Sequence, residues 1–346
     1  MNLLALALQL VCEPCVAVSQ AGDLPAPAPP YWGLKATEAE KAWPLTKGEH
    51  IVVAIVDTGV DTHNQELSAQ LWTNPNEIPD NDLDDDKNGY IDDVHGWDFA
   101  TNSPSLTDHH GHGTHIAGII HSLAPKARLM ILKYYDPYGD PGKNLSNSVQ
   151  ALQYAARMKV QLINYSGGGL QKSRPEEAAI ALAAEQNILL IAAAGNEHSD
   201  SDRIGFYPAS YDLPNIISVA AASPDMDLVP SSNFGARTVD LAAPGQDILS
   251  TLPQHRQGPM TGTSQATAFV TGTAALILAS RPSPVPFHRL IRILTETGLI
   301  SPLLTRKTKS SSILNAYRSV TMKEFGLSAF GYAIDSTPDE ELLSSN

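Results

Sequence analysis

Two observations predict an α/β fold, a doubly wound and mostly parallel sheet with helices on both faces. Short runs of almost unbroken apolar residues recur along the chain, and segments with helical spacing lie between them. The runs IVVAIV (51–56), LMILKY (129–134), LINYS (162–166), ILLIAAAG (188–195) and IISVAA (216–221) read as strands. They carry so few polar residues that both faces must be covered, as in a parallel sheet. Between them, 144–158 and 175–186 have the spacing and composition of helices. The segment 264–280, SQATAFVTGTAALILAS, is a helix of small and apolar residues stopped by Pro282. It is apolar nearly all round, so it is expected to be buried. Sheets of this kind bind ligands outside the carboxyl ends of their strands, which makes the residues just after each run the first candidates for chemistry.

The chain of 346 residues is long enough for a large core. Its 23 basic against 37 acidic residues give a net charge of -14, with no broad positive field to attract nucleic acid or anionic lipid. Residues 3–11 (LLALALQLV) are too short to span a bilayer and are followed by small residues, so 1–21 reads as a cleavable secretory signal, although no Lys or Arg precedes the apolar run. The expected location is secreted or periplasmic, with no membrane association once the signal is removed. Cys12 and Cys15 fall inside this segment without the βαβ surroundings of a redox pair, so the mature chain is expected to hold no disulfide. Residues 22–30 form a Pro-rich linker, residues 31–320 the folded domain, and 321–346 an acidic tail.

Asp57 directly follows the first apolar run, where its carboxylate would emerge at the carboxyl end of a strand. Alone it reads as well as a turn former. His112 lies in DHHGHGTHIAGII, with four histidines in seven positions. That cluster could suggest zinc, but the H-E-x-x-H pattern and its glutamate base are absent. Ser264 sits in a Gly-flanked turn that runs straight into the buried helix, where free N–H groups and the dipole would favour a developing oxyanion; alone it is an ordinary helix cap. Together the three supply what acyl transfer needs, namely a nucleophile, a base and a carboxylate to orient that base.

The order Asp, His, Ser and the segments IVVAIVDTGVD, HGTHIAG and GTSQATA resemble the signatures of the subtilisin-like serine proteases, or subtilases. INYSGGG, AAAGNE, FYPASYDLPNIISVAA and SNFGARTVDLAAPG extend the resemblance across residues 31–320. It implies a serine endopeptidase of broad specificity acting on protein or peptide substrates through an acyl-enzyme, and a monomer. Ser264 would be the nucleophile, His112 the general base and then acid, Asp57 the holder of the imidazole, and Asn196 a side-chain donor to the oxyanion. Ser166, Gly167 and Gly168 match the strand that pairs with substrate main chain. A different class, a non-catalytic subtilase-fold module that binds peptides, would be expected to have lost one of these groups. The family's M-A-[ST]-P-H after the nucleophile is replaced by Gln265, Ala266, Thr267, Ala268 and Phe269, which alters polarity beside Ser264. With 1–21 read as a signal, residues 22–30 are too few for the folding-assisting prodomain of secreted members, so none is expected.

Residues 77–93 carry eight acidic side chains against Lys87 alone. Asp84-x-Asp86-x-Asn88-Gly89 matches the opening of a calcium loop, with alternate oxygens facing one centre and glycine at the bend. His95 stands where the closing glutamate would be, so Asp92 or Asp93 is expected to complete a structural calcium site. The other reading is a solvated acidic loop.

Overall fold

The computed structural model describes residues 31–322. The signal-like segment with Cys12 and Cys15, the Pro-rich linker and residues 323–346 of the tail lie outside the described residues. The strands are β1 (Val52–Asp57), β2 (Gly96–Asp98), β3 (Arg128–Lys133), β4 (Leu162–Tyr165), β5 (Leu189–Ala193), β6 (Ile216–Ala222), β7 (Leu241–Pro244), β8 (Ile248–Leu252), β9 (Arg256–Met260), β10 (Leu299–Ile300) and β11 (Ser312–Ile313). The helices are α1 (Trp32–Thr37), α2 (Ala39–Ala42), α3 (Gln65–Ser68), α4 (His112–Leu123), α5 (Pro141–Arg157), α6 (Arg174–Glu185), α7 (Thr263–Ala279), α8 (Phe287–Glu296) and α9 (Ala316–Thr321).

One sheet runs in the order β10-β11-β7-β6-β5-β4-β1-β3-β2, and β8 and β9 form a separate antiparallel hairpin. Every neighbouring pair in the large sheet is parallel except β10 with β11. Strand side chains alternate between faces, so each buried strand serves two cores. Val53, Ile55, Leu129, Ile131 and Ile191 face one core with Ile116 and Ile120 of α4 and Val270 and Leu276 of α7. Ala54, Val56, Met130, Leu132 and Leu190 face the other with Leu152 of α5 and Ile180 of α6. The sheet is doubly wound, as the continuous apolar runs predicted.

Local chemistry explains the helix boundaries. α5 begins earlier than 144 because the Asp140 carboxylate accepts from the Gly142 N–H at 2.6 Å and Pro141 occupies the first turn. α6 is capped by Ser173, whose Oγ accepts from the Glu176 N–H. α7 is buried from Thr263 through Ile277, all round its circumference. The chain runs from β1 outward to β2 and β3, then returns to β4 on the other side of β1 and continues away. Strand order therefore reverses between β1 and β4, where such sheets are expected to form a ligand crevice at the carboxyl ends of the strands. Among the described residues no helix is long and apolar enough to cross a membrane.

Candidate active site

β1 ends on Asp57 at that crevice, and α4 starts with His112. Both are buried, and His112 Nδ1 donates to Asp57 Oδ1 at 2.7 Å. Oδ1 also accepts the Thr58 N–H at 2.8 Å, which fixes the carboxylate against its own strand end. The close approach requires glycine at 113, because a Cβ there would stand 2.1 Å from the Gly59 carbonyl oxygen and 3.2 Å from Asp57 Oδ1. With Nδ1 committed to the carboxylate, Nε2 is left as the basic nitrogen and has no partner among the described residues. Burial alone disfavours the imidazolium, but the Asp57 charge and hydrogen bond, with Asp108 beyond them, outweigh it. The His112 pKa lies above the usual imidazole value.

Asp108 is a residue that sequence reasoning missed. Its buried carboxylate accepts from Thr58 Oγ1 at 2.9 Å, the Gly111 N–H at 2.7 Å, and the Thr114 N–H and Oγ1 at 2.9 and 2.7 Å. It thereby satisfies the free donors at the start of α4 and binds that helix to the loop after β1. An aspartate four residues ahead of a helix start was the available signal. His110 meets the His112 ring edge-on at 6.2 Å, and burial, followed by repulsion from His112, lowers its pKa.

Ser264 is the second residue of α7 and is buried. Its Oγ donates to the Ser166 carbonyl at 2.9 Å, and Ser166 Oγ donates back to the Ser264 carbonyl at 3.1 Å. Asn164 Nδ2 supports Ser166 Oγ at 2.9 Å, and Thr271 Oγ1 supports Asn164 Oδ1 at 2.8 Å, so the end of β4 and the first turns of α7 are locked together. Among the described residues no hydrogen bond joins Ser264 to His112. The structure therefore brings Asp57 and His112 into direct contact but leaves the hydroxyl on Ser166. Catalytic hydrogen bonds are often loose before substrate arrives.

Asn196 lies in the loop after β5, half-buried. Its Oδ1 accepts from the Thr263 N–H at 2.9 Å and Thr263 Oγ1 at 3.2 Å, which pins the oxygen and leaves the amino group to face a ligand. Neither Asn196 Nδ2 nor the Ser264 N–H has an acceptor among the described residues, so both donors are free. Gly167 and Gly168 are half-exposed, and their main-chain groups likewise have no partner among the described residues. The adjoining Gly169 exchanges two 2.8 Å hydrogen bonds with Tyr207, which steadies the segment.

In the acidic loop, Asp84 and Asp86 converge as predicted, but the third carboxylate of the cluster is Glu77, with ligand atoms of all three within 4.8 Å of one another. Sequence reasoning did not assign Glu77, because it precedes the D-x-D-x-N-G pattern by seven residues. Burial first, then the charges of Asp93 and Asp86, raise its pKa, the signature of carboxylates massed without a counter-ion. Such an all-oxygen set fits a hard divalent cation. Of the other expected ligands, Asp92 and Asp93 are not among the carboxylates of this cluster. Asp92 accepts the Asn81 and Asp82 N–H groups at 3.2 and 3.1 Å. Asp93 is fully buried and accepts from Asn74, Asn88 and Tyr154. Asn88 spends its amino group on Asp86 and Asp93, leaving its Oδ1 to the Tyr90 N–H. The two aspartates expected to close the ring of ligands are thus engaged elsewhere, Asp92 by main-chain N–H groups and Asp93 by Asn74, Asn88 and Tyr154.

Residues 48–317 match the model of the Subtilase family. Over 261 residues the chain is 34% identical to the major intracellular serine protease of Bacillus subtilis, covering 71% of this chain and 74% of that protein. It is 30% identical over 256 residues to thermitase of Thermoactinomyces vulgaris, covering 71% and 81%. Among solved structures, a cold-adapted subtilisin-like serine proteinase shares the fold with a TM-score of 0.65 at 23% identity, covering 78% of this chain and 90% of that one. A lanthipeptide protease does so with a TM-score of 0.68 at 21% identity, covering 84% and 93%.

Proposed function

Because this chain belongs to the subtilase family and is a serine-type peptidase, we propose that it cleaves peptide bonds through Asp57, His112 and Ser264. The 2.7 Å bond between two buried side chains, His112 Nδ1 and Asp57 Oδ1, carries the reading. It holds the tautomer whose free Nε2 accepts a proton, and it stabilises the imidazolium that results. In the working complex Ser264 Oγ leaves the Ser166 carbonyl, gives its proton to Nε2 and attacks the scissile carbonyl. The oxygen of the tetrahedral intermediate takes hydrogen bonds from Asn196 Nδ2 and the Ser264 N–H, at the positive end of α7. His112 then returns the proton to the leaving amine, and water repeats the cycle on the acyl-enzyme. Substrate main chain adds as a strand along Ser166, Gly167 and Gly168. Recognition by backbone supports broad specificity for proteins and peptides, by a monomer.

Calcium is the cation proposed for Glu77, Asp84 and Asp86, where it would neutralise three massed carboxylates and tie the loop to the body. The apolar segment 3–11 and the small residues after it support export to the periplasm or medium. Fractionation of cells expressing the full chain checks this, and retention in the cytoplasm would sink it.

A serine-directed fluorophosphonate is expected to label Ser264, and Ser264→Ala to abolish labelling. Turnover in that variant should fall about a million-fold, the loss known for the subtilisin triad. A protein that binds peptides yet is never labelled would instead be the non-catalytic module.

A further inference from the structure

Gln265 follows the nucleophile and is only 2% exposed, yet its carboxamide is poorly satisfied. Nε2 has the Met260 thioether as its partner at 3.9 Å, a weak acceptor, and Oε1 accepts no hydrogen bond among the described residues. The unsatisfied oxygen also has a definite neighbour. A Cβ placed on Gly262 would lie 3.2 Å from Gln265 Oε1, 3.3 Å from Asn196 Oδ1 and 3.4 Å from Asn196 Nδ2. The two carboxamides therefore share one small space, kept open because residue 262 has no side chain. Within that space the Asn196 oxygen is already held by Thr263, so the group turned toward an acceptor is its amino group, with two protons to place.

We propose that Gln265 is a positioning residue for the oxyanion donor: its Oε1 accepts one Asn196 Nδ2 proton and holds the other on the developing oxyanion. The inference rests on the role proposed above for Asn196. In the free protein the amide oxygen waits beside its partner, and the bond closes as substrate excludes water from the cleft. Orientation of one donor affects the transition state and not ground-state binding, so the effect belongs in kcat.

The test is a double-mutant cycle on the full chain, assayed with a peptide amide substrate. Gln265→Met keeps the volume and the unbranched shape, so folding is expected to survive. It should lower kcat about tenfold with KM changed less than about twofold. In an Asn196→Ala background the same substitution should change kcat less than about twofold, because the donor it orients is gone. The thermal midpoint of Gln265→Met should stay level, since volume is kept and only a weak contact to Met260 is lost; a packing role would lower it. An undiminished kcat, or an equal loss in both backgrounds, overturns the inference while leaving the active-site reading intact. If Asn196→Ala itself leaves kcat unchanged, the oxyanion reading falls and this inference falls with it.

Discussion

Residue 57 shows how one contact sets both the reaction and its dependence on pH. His112 works as a base only when neutral, and Asp57 holds its pKa above the usual imidazole value of about 6.5 despite burial. Activity should therefore rise with pH along an acid limb lying above that value. Asp57→Asn removes the opposing charge, so the limb should move to lower pH. The rate should also drop about ten-thousand-fold, the size known for the corresponding change in a trypsin-type triad. A pH-rate profile of wild type and variant checks both, and an acid limb unmoved by the substitution would contradict the assignment. At this scale the pairing of Asp57 with His112 was legible, because the motif lists the side chains that meet. Asp108 and Glu77 escaped because their partners are main-chain groups and distant carboxylates, which no local spacing reveals.

At the scale of elements, α4 and the hairpin β8–β9 are joined by His115. Its Nε2 lies 2.9 Å from the Ile248 carbonyl and 3.1 Å from that of Gly258, so it must carry the proton, while Nδ1 is buried without a partner. Burial and then the neighbouring His112 press its pKa down to about 4. The unfolded chain takes up this proton near pH 6.5, whereas the folded protein resists it until about pH 4. The stability contributed is full above 6.5 and is lost as pH falls through that window, roughly 3 kcal/mol in all. Thermal midpoints between pH 7 and 4 should fall less steeply in His115→Gln than in wild type; equal slopes would argue against the linkage. The hairpin was invisible in the sequence because β9 is mostly exposed and interrupted by Gly258 and Pro259, with no alternation to read. β1, β3 and β5 were legible because strands covered on both faces have no polar positions in their middles to blur them. β2 was not, being three residues long at the sheet edge.

Over the whole molecule, stability is expected to be shared between the two cores and the acidic loop. If calcium binds the folded cluster at about a hundred times its dissociation constant, it adds about 2.7 kcal/mol. Chelation should then lower the thermal midpoint by on the order of 5–10 °C. Glu77→Gln should shrink that difference, and a midpoint indifferent to chelator would dismiss the ion. The α/β class could be read from the chain because alternation of apolar runs and helices dictates layers. The sheet order could not, since it depends on which strand crosses over β1. That crossing also sets a schedule. α7 is packed among β4 to β7 and α4, made before it, and α8 and α9, made after it, so the nucleophile arrives late and its helix is covered fully only by the last of the described chain. During synthesis the carboxylate and imidazole, at 57 and 112, emerge long before the hydroxyl at 264. A half-made polypeptide is thus a harmless passenger on the ribosome, and the molecule becomes a blade only once almost all of it has left.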